Sequence, residues 1–339
     1  MARQGAMVAV VCGSTRGAGR GAARALGEAG AIVYCTGRSS RGGGTGYARP
    51  ETIEDTADLV TAAGGTGIPV RVDHASEAEV AALFARVARE RRRLDVVVDS
   101  VAGEDPAYGG WVSFDQTDLT NAAHALTQGL VTRMLTAKHG GALLRKRKRG
   151  LLVEVTGADF PFYGGNLLHG LVMLGHKGLA FHMAEELRAA NVAALSITPG
   201  FLRSEAMLEH FGVTEATWRE GGTKDKHFLH SESPLLIGRA IAALAQDPDV
   251  MRWTGHLTSS WEVAAHYGLH DADGADPNWG EHWTRTVMAE MPSVRENTVR
   301  QAEWLERIAA RLRGYASGRT RAPKASPSGR RPRRRATKR

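Results

Sequence analysis

Residues 8–30 read VAVVCGSTRGAGRGAARALGEAG, in which an apolar run is followed by a glycine-rich turn and an alanine-rich segment. The apolar run is typical of a buried strand, and the alanine-rich segment is typical of a helix. Between them, Gly13, Gly17 and Gly19 form the pattern Gly-x-x-x-Gly-x-Gly. A glycine turn between a strand and a helix is the arrangement that binds the pyrophosphate of a nucleotide.

The turn itself supplies the predicted contacts to a nucleotide. Glycines let the backbone bend sharply and come close to a pyrophosphate, while the N terminus of the next helix offers free N–H groups and a positive dipole end. The alternative is that the glycines only let the helix pack closely on the sheet. We favour nucleotide binding, and the predicted cofactor-binding residues of the turn are Gly13, Thr15, Arg16, Gly17 and Gly19.

Short apolar runs alternate with longer amphipathic segments along most of the chain. The runs predicted to be strands cover residues 7–12, 31–36, 67–72, 94–99, 150–156 and 192–198, and a last strand is expected within 253–260. This alternation indicates βαβ units, and therefore a doubly wound parallel sheet in a three-layer α/β/α Rossmann fold. We predict a Rossmann domain over 1–269, a C-terminal helical appendage over 270–317 and a tail over 318–339.

The positive charge of the chain comes from its last residues. The formal net charge is +8, and residues 318–339 contain ten Lys and Arg and no acid, so the rest of the chain carries −2. The tail is rich in Pro, Ser and Arg and poor in apolar residues, so we expect it to be disordered. It is either a solvated tail or a weak contact for nucleic acid or another anionic surface.

Membrane, metal and disulfide chemistry find no support in the sequence. No apolar run approaches the length of a membrane span, and the N-terminal residues lack the layout of a secretory signal, so we expect a cytoplasmic protein without a membrane partner. The two cysteines, Cys12 and Cys35, lie in predicted strands without paired Cys or His spacing. We therefore expect neither a disulfide framework nor a metal site.

The end of the second predicted strand indicates which dinucleotide is bound. An acid at this place accepts a hydrogen bond from the ribose 2′-hydroxyl of NAD, whereas an arginine suits the 2′-phosphate of NADP. The sequence has Arg38 there, followed by Ser39, and Arg16 lies in the glycine turn. The predicted cofactor is therefore NADP(H), with Arg38 and Ser39 among its ligands.

Further motifs in the same order resemble the short-chain dehydrogenase/reductase superfamily. They are Asp73 after the third strand, DSVAG at 99–103, a helix bearing Lys177 after the fifth strand, and ITPGF at 197–201. The resemblance covers residues 5–265, and details such as RVDHASEAEVAALF at 71–84 are most similar to the branch that includes dehydrogenase/reductase member 1.

The resemblance implies hydride transfer between a nicotinamide and a small-molecule carbonyl or alcohol substrate. It also implies a homo-oligomer that assembles through the long helices after strands four and five. The residues that it assigns to the cofactor are Asp73 and His74 at the adenine, Ala102 and Gly103 near the adenine ribose, Lys177 at the nicotinamide ribose, and Pro199 and Gly200 beside the nicotinamide.

The catalytic positions depart from the family pattern. Such enzymes use a tyrosine as proton donor, and a lysine one helical turn later lowers the pKa of that tyrosine by its positive charge. Lys177 matches the lysine, but the residue four positions earlier is Met173, which has no ionisable proton. Thr156 or Gly157 falls at the serine position.

Two explanations for this atypical site compete. In the first, the protein is a working oxidoreductase in which Lys177 and Thr156 remain catalytic and the proton comes from His176, Tyr163 or His169. In the second, it is a catalytically inactive NADP-binding protein that acts as a regulatory or scaffold partner. We favour the first.

Overall fold

The computed structural model describes residues 5–44, 49–102, 112–160 and 166–318. In this part of the chain seven parallel strands form one sheet in the order β3-β2-β1-β4-β5-β6-β7. The strands are β1 (Val8–Cys12), β2 (Ile32–Gly37), β3 (Thr66–Arg71), β4 (Val96–Asp99), β5 (Gly150–Val155), β6 (Val192–Thr198) and β7 (Leu257–Ser259). The predicted doubly wound sheet is confirmed.

Helices flank the sheet and connect its strands. The α-helices are α1 (Gly17–Glu28), α2 (Ile53–Ala62), α3 (Glu77–Arg91), α4 (Ala122–Leu126), α5 (Thr132–Arg147), α6 (Leu167–Arg188), α7 (Glu205–Phe211), α8 (Pro234–Gln246), α9 (Ser260–Tyr267), α10 (Trp279–His282), α11 (Met288–Glu290) and α12 (Pro292–Ala316). Two π-helical turns, Thr127–Val131 and Trp283–Val287, continue α4 and α10, and 3-10 turns cover Phe114–Gln116, Trp218–Thr223, Lys226–His230 and Val250–Trp253. No described helix is long and apolar enough to cross a membrane.

The sheet separates two hydrophobic cores, and successive residues of β1 point alternately into one core and the other. Side chains alternate across a strand, so Ala9 and Val11 belong to the core that contains residues of α1, α2 and α8. Val8 and Val10 belong to the other core, with residues of α3, α5 and α6. Because both faces of β1 are covered, an uninterrupted apolar run was the expected sequence pattern.

Helices α1 and α8 cross with their backbones in contact. A Cβ atom added at Gly21 would lie 1.8 Å from the carbonyl oxygen of Pro234, and one added at Gly238 would lie 2.2 Å from the carbonyl oxygen of Gly21. Only glycine fits at either position. The glycines of α1 therefore serve its packing as well as the turn that precedes it.

Contacts divide the chain into two compact units, Met1–Met291 and Pro292–Arg339. The segment after residue 269 is anchored within the first unit, where Arg203, which is 1% exposed, lies 3.2 Å from the carboxylate of Asp271. The ring of Trp279 packs against that of Phe201, with centroids 5.5 Å apart. The boundaries predicted at 269 and 317 remain predictions.

The described part of the second unit contains helix α12. Val299, Trp304, Leu312 and Tyr315 are exposed apolar or aromatic residues of this helix. Residues 319–339, and with them nearly all of the predicted basic tail, lie outside the described residues.

Candidate functional site

The carboxyl ends of the strands enclose a cleft of about 670 Å³. A crevice at this edge of a doubly wound sheet is the usual place for a nucleotide. The predicted cofactor residues that line it are Gly13, Thr15, Arg16, Gly17, Arg38, Ser39, Asp73, His74, Ala102 and Pro199. Gly103, which the sequence also assigned to the cofactor, lies outside the described residues.

The glycine turn has the shape that a pyrophosphate requires. Gly13 has a φ of 74° and Gly17 a φ of 56°, both in the left-handed region that favours glycine. A Cβ added at Gly13 would lie 2.4 Å from the carbonyl oxygen of Ser100, and one added at Gly19 would lie 2.3 Å from that of Gly13. The backbone therefore forms a cradle that a side chain would fill, so this turn fits a dinucleotide cofactor.

A carboxylate from the first turn of α7 contacts the same turn. The backbone N–H of Gly17 donates to Oε2 of Glu205 at 2.7 Å, and Arg20 Nη1 lies 3.3 Å from Glu205 Oε1. Carboxylates and phosphates both favour the positive end of a helix. Glu205 and a pyrophosphate would thus compete for one N–H, a contact that the sequence pattern did not predict.

The end of the cleft near β2 is basic and contains one arginine that the sequence reasoning missed. Arg49 lines the cleft together with Arg16 and Arg38. Its Nη2 lies 3.1 Å from Glu51, and it also pairs with Glu209. Its position in the loop after β2 carries no motif of its own, so only the folding of that loop onto the cleft identifies it.

His74 lines the cleft from beneath. Its Nε2 lies 2.9 Å from Oγ1 of Thr36, whose own hydrogen is donated to the carbonyl oxygen of Val11 at 3.1 Å. Nε2 of His74 must therefore carry the proton and act as the donor. Burial lowers the pKa of His74, so the ring is neutral and braces the end of β2.

A second cavity of about 480 Å³ adjoins the cleft and shares Pro199 with it. Gly200, predicted to lie beside the nicotinamide, lines this second cavity. Thr156 and Asp159 contribute polar groups from the loop after β5. The aromatic wall consists of Phe160, Trp261, Trp279 and Trp283. Sequence reasoning missed this wall, because its members come from three separate segments of the chain: Phe160, Trp261, and the pair Trp279 and Trp283.

Lys177 connects α6 with the loop after β5. Its Nζ donates to the carbonyl oxygen of Gly157 at 2.7 Å and to that of Met173 at 3.3 Å. Burial lowers the pKa of Lys177 to about 8, and the negative charge of Asp159 opposes this shift. Lys177 therefore supports the loop after β5.

Met173 packs beneath that loop. A Cβ added at Gly157 would lie 3.2 Å from its sulfur, so the absence of a side chain at Gly157 gives the thioether its space. On its other side Met173 packs against the cluster of Ala125, Leu168 and Val172. The methionine thus acts as a filler between α6 and the loop, a role that suits its flexible side chain.

Thr156 lines the second cavity with a side chain that carries a hydroxyl group. The residue follows β5 and its backbone N–H donates to the carbonyl oxygen of Ile197 at 2.9 Å. Its Oγ1 is buried and has no hydrogen-bond partner among the described residues. A buried hydroxyl normally has a partner, so this one is available to a ligand.

Two of the three proton donors proposed from the sequence, His176 and Tyr163, receive no support here. His176 is 1% exposed, and its Nε2 donates to the carbonyl oxygen of Gly129 at 2.7 Å. Burial lowers the pKa of His176 well below its ordinary value, so the neutral ring ties α6 to the π-helical turn. The role of His176 as proton donor stays a prediction, and its burial and its hydrogen bond to Gly129 argue against it. Tyr163 lies outside the described residues.

A buried ionic cluster fixes the end of β4, close to the cleft. Arg133 donates from Nη1 to Glu154 at 2.9 Å and to the carbonyl oxygen of Asp99 at 3.1 Å, and from Nη2 to that of Val101 at 2.8 Å. Burial, together with the nearby charge of Asp99, raises the pKa of Glu154 to about 8. The cluster holds the backbone that leads to Ala102 in the cleft.

Comparisons with known proteins identify oxidoreductases that are similar to this chain in sequence. A family model described as enoyl-(acyl carrier protein) reductase matches residues 13–256. The chain is 32% identical over 284 residues to dehydrogenase/reductase SDR family member 1 of Mus musculus, covering 79% of this chain and 83% of that protein.

Solved structures show the same fold. A short chain dehydrogenase from Mycobacterium thermoresistibile has a TM-score of 0.66 at 19% identity, covering 81% of this chain and 91% of the other. YwfH, described as an NADPH dependent reductase involved in bacilysin biosynthesis, has a TM-score of 0.58 at 17% identity, covering 75% and 96%.

Proposed function

The chain belongs to the short-chain dehydrogenase/reductase family, and from this premise we propose that it is an NADP(H)-dependent oxidoreductase acting on a carbonyl or alcohol substrate. Members of the family bind a nicotinamide cofactor and are oxidoreductases. The observation that carries the proposal is the cleft of about 670 Å³ whose glycine cradle excludes side chains and whose far end is basic.

The choice of NADP(H) over NAD(H) rests on the residues at the end of β2. Arg38 and Ser39 line the cleft there, and Arg16 and Arg49 line it nearby. A guanidinium binds a phosphate with two parallel charge-assisted hydrogen bonds, whereas the 2′-hydroxyl of NAD calls for an acceptor. Arg38 is the residue that we assign to the 2′-phosphate.

At the other end of the cofactor, Thr156 and Lys177 would act on the substrate. The bound nicotinamide supplies or accepts a hydride. The unpartnered hydroxyl of Thr156 would donate a hydrogen bond to the substrate oxygen, and the ammonium of Lys177 would stabilise negative charge that develops there.

The test of the cofactor assignment is a fluorescence titration with NADPH and, in parallel, NADH. Replacing Arg38 by Ala is expected to weaken NADPH binding by about 10- to 100-fold, the value of one or two charge-assisted hydrogen bonds, and to leave NADH binding nearly unchanged. The matched control is Arg41→Ala, because Arg41 is exposed and pairs with Asp55 and Asp58. Equal loss of both affinities in the Arg38 variant would refute the assignment.

Met173 favours a second candidate function, an inactive NADP-binding protein that serves as a regulatory or scaffold partner. A methionine cannot donate a proton, and here it packs as an apolar filler. Tight NADPH binding without oxidation of NADPH across a broad panel of carbonyl compounds would support this alternative. Oxidation of NADPH with any member of the panel would support the enzyme.

We also propose that the protein is a homo-oligomer. Exposed apolar side chains occur together on the long helices after strands four and five: Met134 on α5, and Leu167, Leu171, Leu174 and Phe181 on α6. Burying them against a second copy would remove apolar surface from water. The cytoplasmic location and the weak anionic contact of the basic tail remain predictions.

A further inference from the structure

The loop after β5 presents a carboxyl group to the second cavity. Asp159 lines this cavity together with Thr156, Pro199 and Gly200, and the last two are the residues predicted to lie beside the nicotinamide. The preceding residue, Ala158, has a φ of 57°, a conformation that costs a residue with a Cβ about 1 kcal/mol or more. The loop accepts this strain in a conformation that brings Asp159 into the cavity wall.

Three other side chains, those of Met173, His176 and Lys177, are less suited to exchange a proton with the substrate. Met173 has no proton to give, and the imidazole of His176 is buried and donates to Gly129. Lys177 uses two of its three N–H bonds on the carbonyl oxygens of Gly157 and Met173. Asp159 brings a carboxyl group to the second cavity, and this group interacts electrostatically with Lys177.

We propose that Asp159 exchanges the proton with the substrate oxygen, in place of the tyrosine that is replaced by Met173. The inference rests on the proposed oxidoreductase function and names the catalytic acid and base of that same site. Because Trp261, Trp279 and Trp283 form an aromatic wall of the same cavity, we infer that the substrates are carbonyl compounds and alcohols with an apolar ring.

The proton moves in opposite senses in the two directions of the reaction. In alcohol oxidation, the O–H bond of the substrate breaks, its proton passes to the carboxylate of Asp159, and the carbon-bound hydrogen leaves with its electron pair as the hydride that NADP⁺ accepts. In carbonyl reduction, the hydride adds to the carbonyl carbon and the Asp159 carboxyl protonates the oxygen. The carboxylate then regains its proton from water.

Two charged groups face Asp159 from the neighbouring elements. Burial raises the pKa of Asp159, and the negative charge of Glu262 on α9 adds to this effect. The positive charge of Lys177 on α6 opposes it. A carboxyl group whose pKa lies above its ordinary value is a better proton donor near neutral pH than a solvated aspartate.

The test compares the wild-type protein with Asp159→Asn, Asp159→Glu and the control Asp249→Asn. The control removes an exposed aspartate whose side chain makes no cap hydrogen bond. Oxidation of NADPH is followed with benzaldehyde, acetophenone and cyclohexanone, and reduction of NADP⁺ with the corresponding alcohols. We expect Asp159→Asn to lower kcat by about 100-fold with KM and NADPH affinity nearly unchanged, and Asp159→Glu to recover part of the loss.

A second readout needs neither cofactor nor turnover. The tryptophan fluorescence of the cofactor-free protein is titrated with acid, because the carboxyl of Asp159 shares a cavity with three tryptophan rings. We expect an inflection above the ordinary pKa of an aspartate in the wild-type protein and in Asp249→Asn, and its loss in Asp159→Asn.

The outcomes separate the inference from the function on which it rests. Turnover by the wild-type protein that survives Asp159→Asn would overturn the inference and leave the oxidoreductase in place, as would an unchanged fluorescence titration. NADPH binding without turnover of any probe by the wild-type protein would overturn both, in favour of the inactive NADP-binding protein. Absence of NADPH binding would overturn the cofactor assignment as well.

Discussion

Lys177 holds its ammonium group inside the protein, and this changes how the residue titrates. A lysine in water keeps its charge far above neutral pH, whereas burial lowers the pKa of Lys177 to about 8. The charge of Lys177 acts on Asp159, whose pKa it lowers, so α6 and the loop after β5 are coupled electrostatically.

The raised pKa of Glu154 predicts how the stability of the protein depends on pH. Its pKa is raised from 4.5 to about 8 because burial and the charge of Asp99 disfavour the anion. Between these pH values the folded protein binds more protons at this site than the unfolded chain does, so this site lowers the unfolding free energy as the pH rises. We expect Glu154→Gln, which imitates the protonated acid, to be more stable than the wild-type protein at pH 9.

Urea unfolding at pH 5 and pH 9 measures this difference. At pH 5 both proteins carry an uncharged side chain at this position in the folded state, so their stabilities are expected to be similar. Glu186→Gln, which changes an exposed carboxylate on α6, is the control and should follow the wild-type pH dependence. The same pH dependence in all three proteins would show that Glu154 is ionised in the folded protein at pH 5 as well.

Among the elements, the strands were predicted best. The sixth strand was predicted at 192–198 and observed over Val192–Thr198, and the first five deviated by one or two residues at one or both ends. The last strand, expected within 253–260, covers only Leu257–Ser259. Buried parallel strands produce continuous apolar runs, so their positions are readable, whereas the register and the exact ends depend on pairing with neighbours.

The crossing of α1 and α8 gives a prediction at the scale of elements. Gly238→Ala would place a Cβ 2.2 Å from the carbonyl oxygen of Gly21, so the helices must separate or shift. We expect a loss of about 2 kcal/mol or more in unfolding free energy and a lower Tm. The control is Gly178→Ala on α6, where nothing lies within 4 Å of the added atom, and where alanine should instead stabilise the helix.

Thermal unfolding of the two variants, followed by circular dichroism, compares the two positions directly. Both replace glycine by alanine within a helix, so the intrinsic helix propensity changes equally. If Gly238→Ala were as stable as Gly178→Ala, the close approach of α1 and α8 would not exist in solution.

At the scale of the whole molecule, the exposed apolar surface predicts self-association. Leu171 and Leu174 on α6 are 48% and 45% exposed. Charged residues there would oppose burial in an interface, so we expect the double variant Leu171→Lys, Leu174→Lys to elute as a monomer where the wild-type protein is an oligomer. Size-exclusion chromatography with light scattering measures the mass.

A second substitution shows whether the position of the charge matters. Leu59→Lys on α2 changes an exposed leucine away from α5 and α6 and is expected to leave the oligomer intact. A monomeric wild-type protein would contradict the proposal. Dissociation by Leu59→Lys alone would place the interface elsewhere.

The sequence by itself determined the sheet, the glycine turn and most of the nucleotide cleft. Strands and helices follow from local periodicity, and the glycine turn follows from steric limits on the backbone. These features can be predicted because they depend on residues that are adjacent in the sequence. Arg38 and Asp73 could be placed because the ends of parallel strands meet at one edge of the sheet.

Only the tertiary structure decided which side chains surround the second cavity and the glycine turn. Asp159, Trp261 and Trp283 line one cavity. Arg49 lines the nucleotide cleft from the loop after β2, and Glu205, the first residue of α7, contacts the glycine turn. His176 is buried and donates to the carbonyl oxygen of Gly129. Each of these depends on which side chains pack together across long stretches of chain and on how strongly burial disfavours a charge. Neither leaves a periodic or spaced pattern in the sequence, because packing and desolvation are set by the folded neighbours.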